Sequence, residues 1–328
     1  MNIAEIANLA GVSRAAVSRY FNNGYISEEK RLAIRRVVEE TGYRPSAQAQ
    51  TLRTKRTRMV GVIVPKMVSS SVGKMVEGML SVLDEEGYQM VLAVTRNDPK
   101  KELEYLSAFQ EKLVDSVILV ATIFTPEHKR ILKTLSVPVV IAGQRLAGYC
   151  CVFQDDYHAA YDLTKTLLEK GKSRLGYIGA TFQDRAAGEE RYRGYRDAVG
   201  DAGYEALAEN YAISRFTSAS GYEKAGELLD KCGMLDGLIC ATDTMAMGAA
   251  ECLRERGIAV PDQILVAGHG DSEMARVMVP SLVTVHYAYE KCGEIAAGMV
   301  MEALGQGETP RREVKLGYYI DCGPGHFS

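Results

Sequence analysis

Residues 3–20 read IAEIANLAGVSRAAVSRY, and their spacing predicts two short helices joined by a tight turn. Ile3, Ile6, Ala7 and Ala10 mark one apolar face of the first helix. Gly11 permits the turn, Ser13 is a natural N-cap for the second helix, and Val17 and Phe21 continue that helix's apolar side. Its other side carries Arg14, Ala15, Ser18 and Arg19, with Asn22 at its end. Small and basic side chains of this kind suit base edges and phosphates in a DNA major groove.

A third helix is expected from Ser27, with Glu28 and Glu29 in the turn where the helix dipole favours them. Ile34, Val37 and Val38 face inward and Gly42 stops the helix. One amphipathic helix alone says little, but three in this order form an all-α headpiece whose second helix reads bases. Charge agrees: residues 1–58 carry a net +6 and the other 270 residues a net −9, hidden within an overall −3. A basic head on an acidic body points to a nucleic-acid partner for the head and other work for the body.

Residues 46–58 follow as a linker, in which 47–53 could form a short helix. Leu52 is its only large apolar side chain, beside Ala49, Arg53, Lys55, Arg56 and Arg58. That pattern reads either as a leucine wedge entering a minor groove between phosphate-holding cations, or as a tether with an incidental leucine. From Met59 the pattern alternates between apolar strand runs and helices, starting with Val60–Pro65, 72–85, Met90–Val94 and 101–111. A second such series begins after Asp155. Two similar parallel α/β lobes imply a ligand cleft at the carboxyl ends of their strands.

At 328 residues the chain is long enough for two or three domains. It has no apolar run of membrane-spanning length, and its charged first helix is unlike a signal peptide, so a cytoplasmic protein is expected. The seven cysteines are scattered without metal-ligand spacing and read as reduced core thiols. Neither a nucleophile–base constellation nor a metal set is visible, which argues against an enzyme, and no cofactor is implied.

These residues closely resemble the lac-repressor (LacI/GalR) family of bacterial regulators. The resemblance rests on the run ending at Arg19, Gly42-Tyr-Arg-Pro45, the stretch 49–52, Arg191-Tyr-Arg-Gly-Tyr195, Ala241-Thr-Asp-Thr-Met-Ala246, Gly257-Ile-Ala-Val-Pro-Asp262 and Pro280-Ser-Leu-Val-Thr-Val285. It implies a headpiece over 1–45, a hinge helix over 46–58, and a two-lobed body over 59–328 like periplasmic sugar-binding proteins. The lobes would comprise about 59–153 with 283–312, and about 154–282 with 313–328, with crossovers near Asp155, Leu282 and Glu313. It further implies a homodimer on a pseudo-palindromic operator, with a sugar-type effector in the cleft altering operator affinity. A phosphocarrier protein is the alternative controlling partner.

By this resemblance Arg14 and Ala15 fall where the family reads bases, and Arg14 could fork to guanine or merely touch phosphate. The implied effector set is Pro65, Gln154, Asp155, Arg191, Thr242, Asp243, Asp271 and Tyr287. Asp243 equally reads as a helix cap and Tyr287 as core packing, while a surface ion pair is the lesser alternative for Arg191. One departure stands out: Gly268-His269-Gly270-Asp271 replaces the common Gly-Phe-Asp-Asp, so the usual sugar-binding aspartate is Gly270. Val64-Pro-Lys-Met67, Phe153-Gln-Asp-Asp-Tyr157 and Val314-Lys-Leu-Gly-Tyr318 are similar to the sucrose-operon repressor branch, suggesting sucrose or a fructose-related effector. The chain ends without a leucine-heptad tail, which suggests a dimer over a tetramer.

Overall fold

The computed structural model describes residues 1–22, 24–43, 56–111, 114–278, 282–306 and 311–323, in two units, Met1–Arg58 and Met59–Ser328. Ala49, Leu52 and Arg53, with the expected hinge helix, lie outside the described residues.

In the first unit, α1 (Ile3–Leu9) opens with a capping box: the Asn2 side chain accepts from the backbone N–H of Ala4 and Glu5, and Glu5 accepts from that of Asn2. The turn passes through Gly11 at φ +62°. There α2 (Arg14–Phe21) begins, and Ser13 Oγ accepts from Ala16 N at 3.2 Å. The third helix, α3 (Glu28–Thr41), ends in left-handed Gly42, φ +63°. Ser27 has the backbone shape of an N-cap, but its side chain makes no capping bond. Ile6, Ala7, Ala16, Val17, Ile34 and Val37 close the small core.

The second unit builds one lobe from β1 (Met59–Val64), α4 (Ser70–Glu85), β2 (Gln89–Val94), α5 (Pro99–Gln110), β3 (Ser116–Val120), α6 (Pro126–Thr134), β4 (Val139–Ala142) and β5 (Cys150–Gln154). A second lobe follows: α7 (Asp156–Glu169), β6 (Leu175–Gly179), a π-helical turn (Arg185–Glu190), α8 (Arg191–Asp201), β7 (Tyr211–Ile213) and α9 (Ser218–Cys232). It continues through β8 (Gly237–Cys240), α10 (Asp243–Glu255), β9 (Leu265–His269), α11 (Glu273–Val277) and β10 (Val283–Tyr287). The chain then returns to the first lobe for α12 (Tyr289–Gln306) and β11 (Glu313–Leu316), and ends its described part in the second with β12 (Tyr318–Asp321).

Each lobe holds a six-stranded sheet, ordered β11-β5-β4-β3-β1-β2 and β12-β10-β9-β8-β6-β7. All pairs are parallel except β10 with β12. The central strands, buried on both faces, explain the near-continuous apolar runs of the sequence.

This pairing corrects two expected crossovers. Val283–Tyr287 does not join the first lobe: β10 extends the second sheet, Val283 opposite Ala267, so the crossing falls at Ala288 and not near Leu282. The third crossing falls at Gly317 and not near Glu313, because β11 pairs with β5, Glu313 opposite Cys151. The first stays at Asp155.

Three helix pairs approach closely through glycines. A Cβ on Gly293 of α12 would lie 1.9 Å from the Met75 carbonyl oxygen of α4. The same holds for Gly248 of α10 against Ser218 O at 1.9 Å, and for Gly194 of α8 against Tyr157 O at 2.2 Å. A methyl group there forces the backbones apart, at a cost of roughly 1–3 kcal/mol or more. Gly298, also in α12, has nothing within 4 Å of its Cβ direction. Gly293→Ala should therefore lower the melting temperature by several degrees. Gly298→Ala should raise it slightly, since alanine is the better helix former by roughly 0.5–1 kcal/mol. Thermal unfolding of the two variants checks this, and equal shifts would contradict the packing account.

Candidate functional site

On α2, Arg14, Ala15, Arg19 and Asn22 are exposed and Ser18 is half-buried, while Ala16 and Val17 hold the helix to the core. Arg14 and Arg19 enter no ion pair among the described residues. Both are thus free to meet phosphate or a base edge. Asn22 is committed in part to its own helix, donating to the Ser18 carbonyl. Ser13 is spent on capping.

The second unit has a cleft of about 990 Å³, its open mouth included, between the carboxyl ends of the two sheets. The first lobe supplies Pro65, Lys66, Asn97, Gln144, Gln154 and Tyr289, and the second Asp156, Asp184, Arg191, Phe216, Thr242, Asp243 and His269. Of the expected effector residues, Pro65, Gln154, Arg191, Thr242 and Asp243 are brought together there.

Arg191 starts α8 and is buried, 6% exposed. Its Nε donates to Asp156 Oδ1 at 2.7 Å, Nη2 lies 2.7 Å from the same oxygen, and Nη1 donates to the Ala241 carbonyl. Its guanidinium also lies 5.0 Å from the centroid of the Tyr287 ring. Three of the five N–H donors are thereby committed, and the charge is neutralised by Asp156. Thr242 caps α10, its Oγ1 accepting from Met245 N at 3.3 Å. Asp243 accepts from Thr284 Oγ1 at 2.5 Å and from Ser272 N at 2.7 Å, and burial still pushes its carboxyl above the usual range.

Three expected residues are not in the cleft lining. Asp155 turns to the crossover side, where His158 Nδ1 at 2.8 Å and Lys315 Nζ at 2.7 Å hold it. Asp271 follows Gly270 (φ +133°) with its own φ at +46°, a reversal that delivers its carboxylate to Arg276 and to His286 Nδ1 at 2.6 Å. It does not replace the missing aspartate of Gly270. Tyr287 lies beneath Arg191, fully buried, as the floor of that side chain.

Asp156, one position beyond Asp155, and Asp184 also line the cleft, and the order of motifs singles out neither. Asp184 caps the π-helical turn through Ala187 N at 3.1 Å. It also accepts from Gln144 Nε2 of the other lobe at 3.0 Å. Further links across the lobes include a backbone bridge between Ile123 and Asp184, Lys74 Nζ donating to Asp271 O at 3.3 Å, and Lys66 Nζ at 5.1 Å from the Phe216 ring centroid.

Burial pushes the Asp184 carboxyl up to about 6. A raised acid means the folded state binds a proton that the unfolded chain has already lost, so stability falls as pH rises from about 4 through 6. At pH 8 the buried carboxylate costs about 3 kcal/mol by this shift. Asp184→Asn keeps an acceptor for Ala187 N without the charge. Its stability relative to wild type should be greater at pH 8 than at pH 4 by up to about 3 kcal/mol, read by urea unfolding at the two pH values. An offset independent of pH would contradict this.

Among the described residues, no group of His, Cys, Asp or Glu is placed to hold a metal, all seven cysteines are free thiols, five of them buried, and no helix is long and apolar enough to cross a membrane.

Residues 2–46 match the lacI family of bacterial regulatory proteins, and residues 164–320 a periplasmic binding protein-like domain. The chain is 31% identical over 307 residues to the sucrose operon repressor of Staphylococcus xylosus, covering 93% of each chain. It is 31% identical over 330 residues to the HTH-type transcriptional regulator IdnR of Escherichia coli K12, covering 98% of this chain and 97% of that one. Among solved structures, the complex of the transcriptional regulator CelR with cellobiose matches with TM-score 0.75 at 28% identity, over 98% of both chains. The lac repressor dimer bound to operator and the anti-inducer ONPF matches with TM-score 0.91 over 100% of this chain and 99% of that one, at 18% identity, a likeness of fold. With its helix-turn-helix headpiece and two-lobed body, the chain belongs to the lacI family of DNA-binding transcriptional regulators.

Proposed function

We propose that this protein represses a carbohydrate-utilisation operon as a homodimer on a pseudo-palindromic operator, and that a sugar bound between the lobes changes its operator affinity. The observation that carries the reading is the cleft itself. It is bounded by both lobes and lined by hydrogen-bonding side chains at strand ends, with the rings of Phe216 and Tyr289 among them. Open α/β sheets collect ligands at such ends, and polar groups beside aromatic faces suit sugars. The relatives named for a sucrose operon and crystallised with cellobiose support a mono- or disaccharide, sucrose and fructose-containing sugars first.

The exposed Arg14 on α2, which enters no ion pair among the described residues, supports base reading, its fork matching guanine O6 and N7. The basic residues between 53 and 58 suit phosphate contact, which makes affinity fall steeply with salt.

Selection of binding sites from a random DNA pool, followed by affinity measurements at fixed salt, tests the proposal. A two-fold symmetric site is expected, and Arg14→Ala should relax one symmetric base pair by about 1–3 kcal/mol of discrimination. Unchanged preference would reduce Arg14 to a phosphate contact. Absence of any preferred site would remove the repressor reading, and a preferred site answering only to an added phosphocarrier protein would remove the sugar.

A further inference from the structure

We infer that the cleft selects an uncharged polyhydroxyl ligand over its phosphate and carboxylate counterparts, with His269 and Gln154 as the specificity-determining side chains. The inference rests on the sugar reading of the same cleft. It starts from two buried side chains, one in each lobe, that have hydrogen-bonding atoms without partners among the described residues.

His269 ends β9 in the second lobe and is 2% exposed. Its Nδ1 lies 2.9 Å from the carbonyl oxygen of Cys240. A carbonyl only accepts, so Nδ1 carries the ring hydrogen and Nε2 presents a lone pair. That Nε2 has no partner among the described residues. Burial, reinforced by the positive charge of Arg191, pushes the ring's pKa down to about 3, so it stays neutral and its Nε2 stays an acceptor. The ring of Tyr287 lies parallel to it at 6.3 Å and helps fix its plane. Gly270 beside it adds no side chain to the cleft wall.

Gln154 ends β5 in the first lobe and is 5% exposed, and both its Nε2 and its Oε1 lack partners among the described residues. Buried polar atoms left unpaired are costly, and a ligand that pairs them recovers that cost. The set requires a donor for His269 and both a donor and an acceptor for Gln154. Hydroxyl groups meet all three needs. An ionised phosphate or carboxylate oxygen only accepts, so one placed at His269 would face its lone pair without a hydrogen to share.

The charges of the cleft favour the same choice. Arg191, the obvious anion receptor, is already neutralised by Asp156. Asp156, Asp184 and Asp243 line the cleft against two cations, Arg191 and Lys66, and Lys66 lies over Phe216. Because His269 and Gln154 belong to opposite lobes, one ligand satisfying both spans the cleft.

Titration calorimetry on the full chain tests this, with sucrose, fructose, glucose and cellobiose set against fructose 6-phosphate, glucose 6-phosphate and gluconate. At least one neutral sugar should bind, with every anion at least tenfold weaker. Gln154→Leu fills a similar volume and removes the unpaired atoms. It should melt at or above the wild-type temperature yet bind the sugar at least tenfold more weakly. His269→Phe should lose binding similarly, and the Nε2 nitrogen resonance of wild-type His269 should shift on sugar addition as an accepting, still neutral nitrogen. An anion binding as tightly as the neutral sugars would overturn the selectivity and leave the sugar reading standing. Undiminished binding by Gln154→Leu would overturn the residue assignment. Absence of binding by every neutral sugar would overturn the sugar reading and this inference with it.

Discussion

The buried pair of Arg191 and Asp156 is the constraint on which the body's architecture turns. Asp156 is the first residue after the first lobe crossing, and Tyr287, under the guanidinium, is the last before the second. The Ala241 carbonyl that accepts from Arg191 follows β8, in the middle of the second sheet. One side chain therefore ties two of the three hinge segments to the strand ends that form the cleft. Removing one partner of such a pair leaves an uncompensated buried charge, typically at a cost of about 3–5 kcal/mol. Arg191 is thus a strut before it is a ligand receptor, which is why its loss cannot serve as a clean probe of effector binding. The burden of discrimination falls on side chains the fold has left unpaired.

Much of the headpiece was legible because its signals are local. Gly11 and Gly42 take up left-handed conformations where the sequence placed its turn and its stop, and Ser13 caps as expected. The apolar runs at Val60, Val117 and Leu175 became buried parallel strands because a strand covered on both faces needs no polar alternation. Which sheet a run joins is not a local property. Val283–Tyr287 would satisfy either lobe by composition, and only its register against Ala267–His269 decides.

The cleft shows the same division. Gln154, Arg191, Thr242 and Asp243 enter the expected set through the family resemblance, and each sits at a strand or helix end. Asp155 and Asp156 are neighbours with opposite fates: one meets Lys315 and His158 outside the cleft, the other Arg191 within it. The direction of Asp271 is not settled by the sequence, and the unusual backbone at Gly270 and Asp271 turns its carboxylate away. Glycine contacts such as Gly293 on Met75 leave no signature in one sequence, since they depend on which helices come to lie together.

If cleft and operator are coupled, the coupling is reciprocal: whatever factor the sugar applies to operator affinity, operator must apply to sugar affinity. A ligand with equal affinity for both states shifts nothing, however tightly it binds. The decisive measurement is the calorimetric affinity of the full chain for its sugar, taken with and without saturating operator DNA at one salt concentration. The account predicts two different affinities, whose ratio equals the change in operator affinity caused by the sugar. Identical sugar affinities in the two conditions would contradict it, leaving a DNA-binding protein and a sugar-binding cleft with no thermodynamic connection.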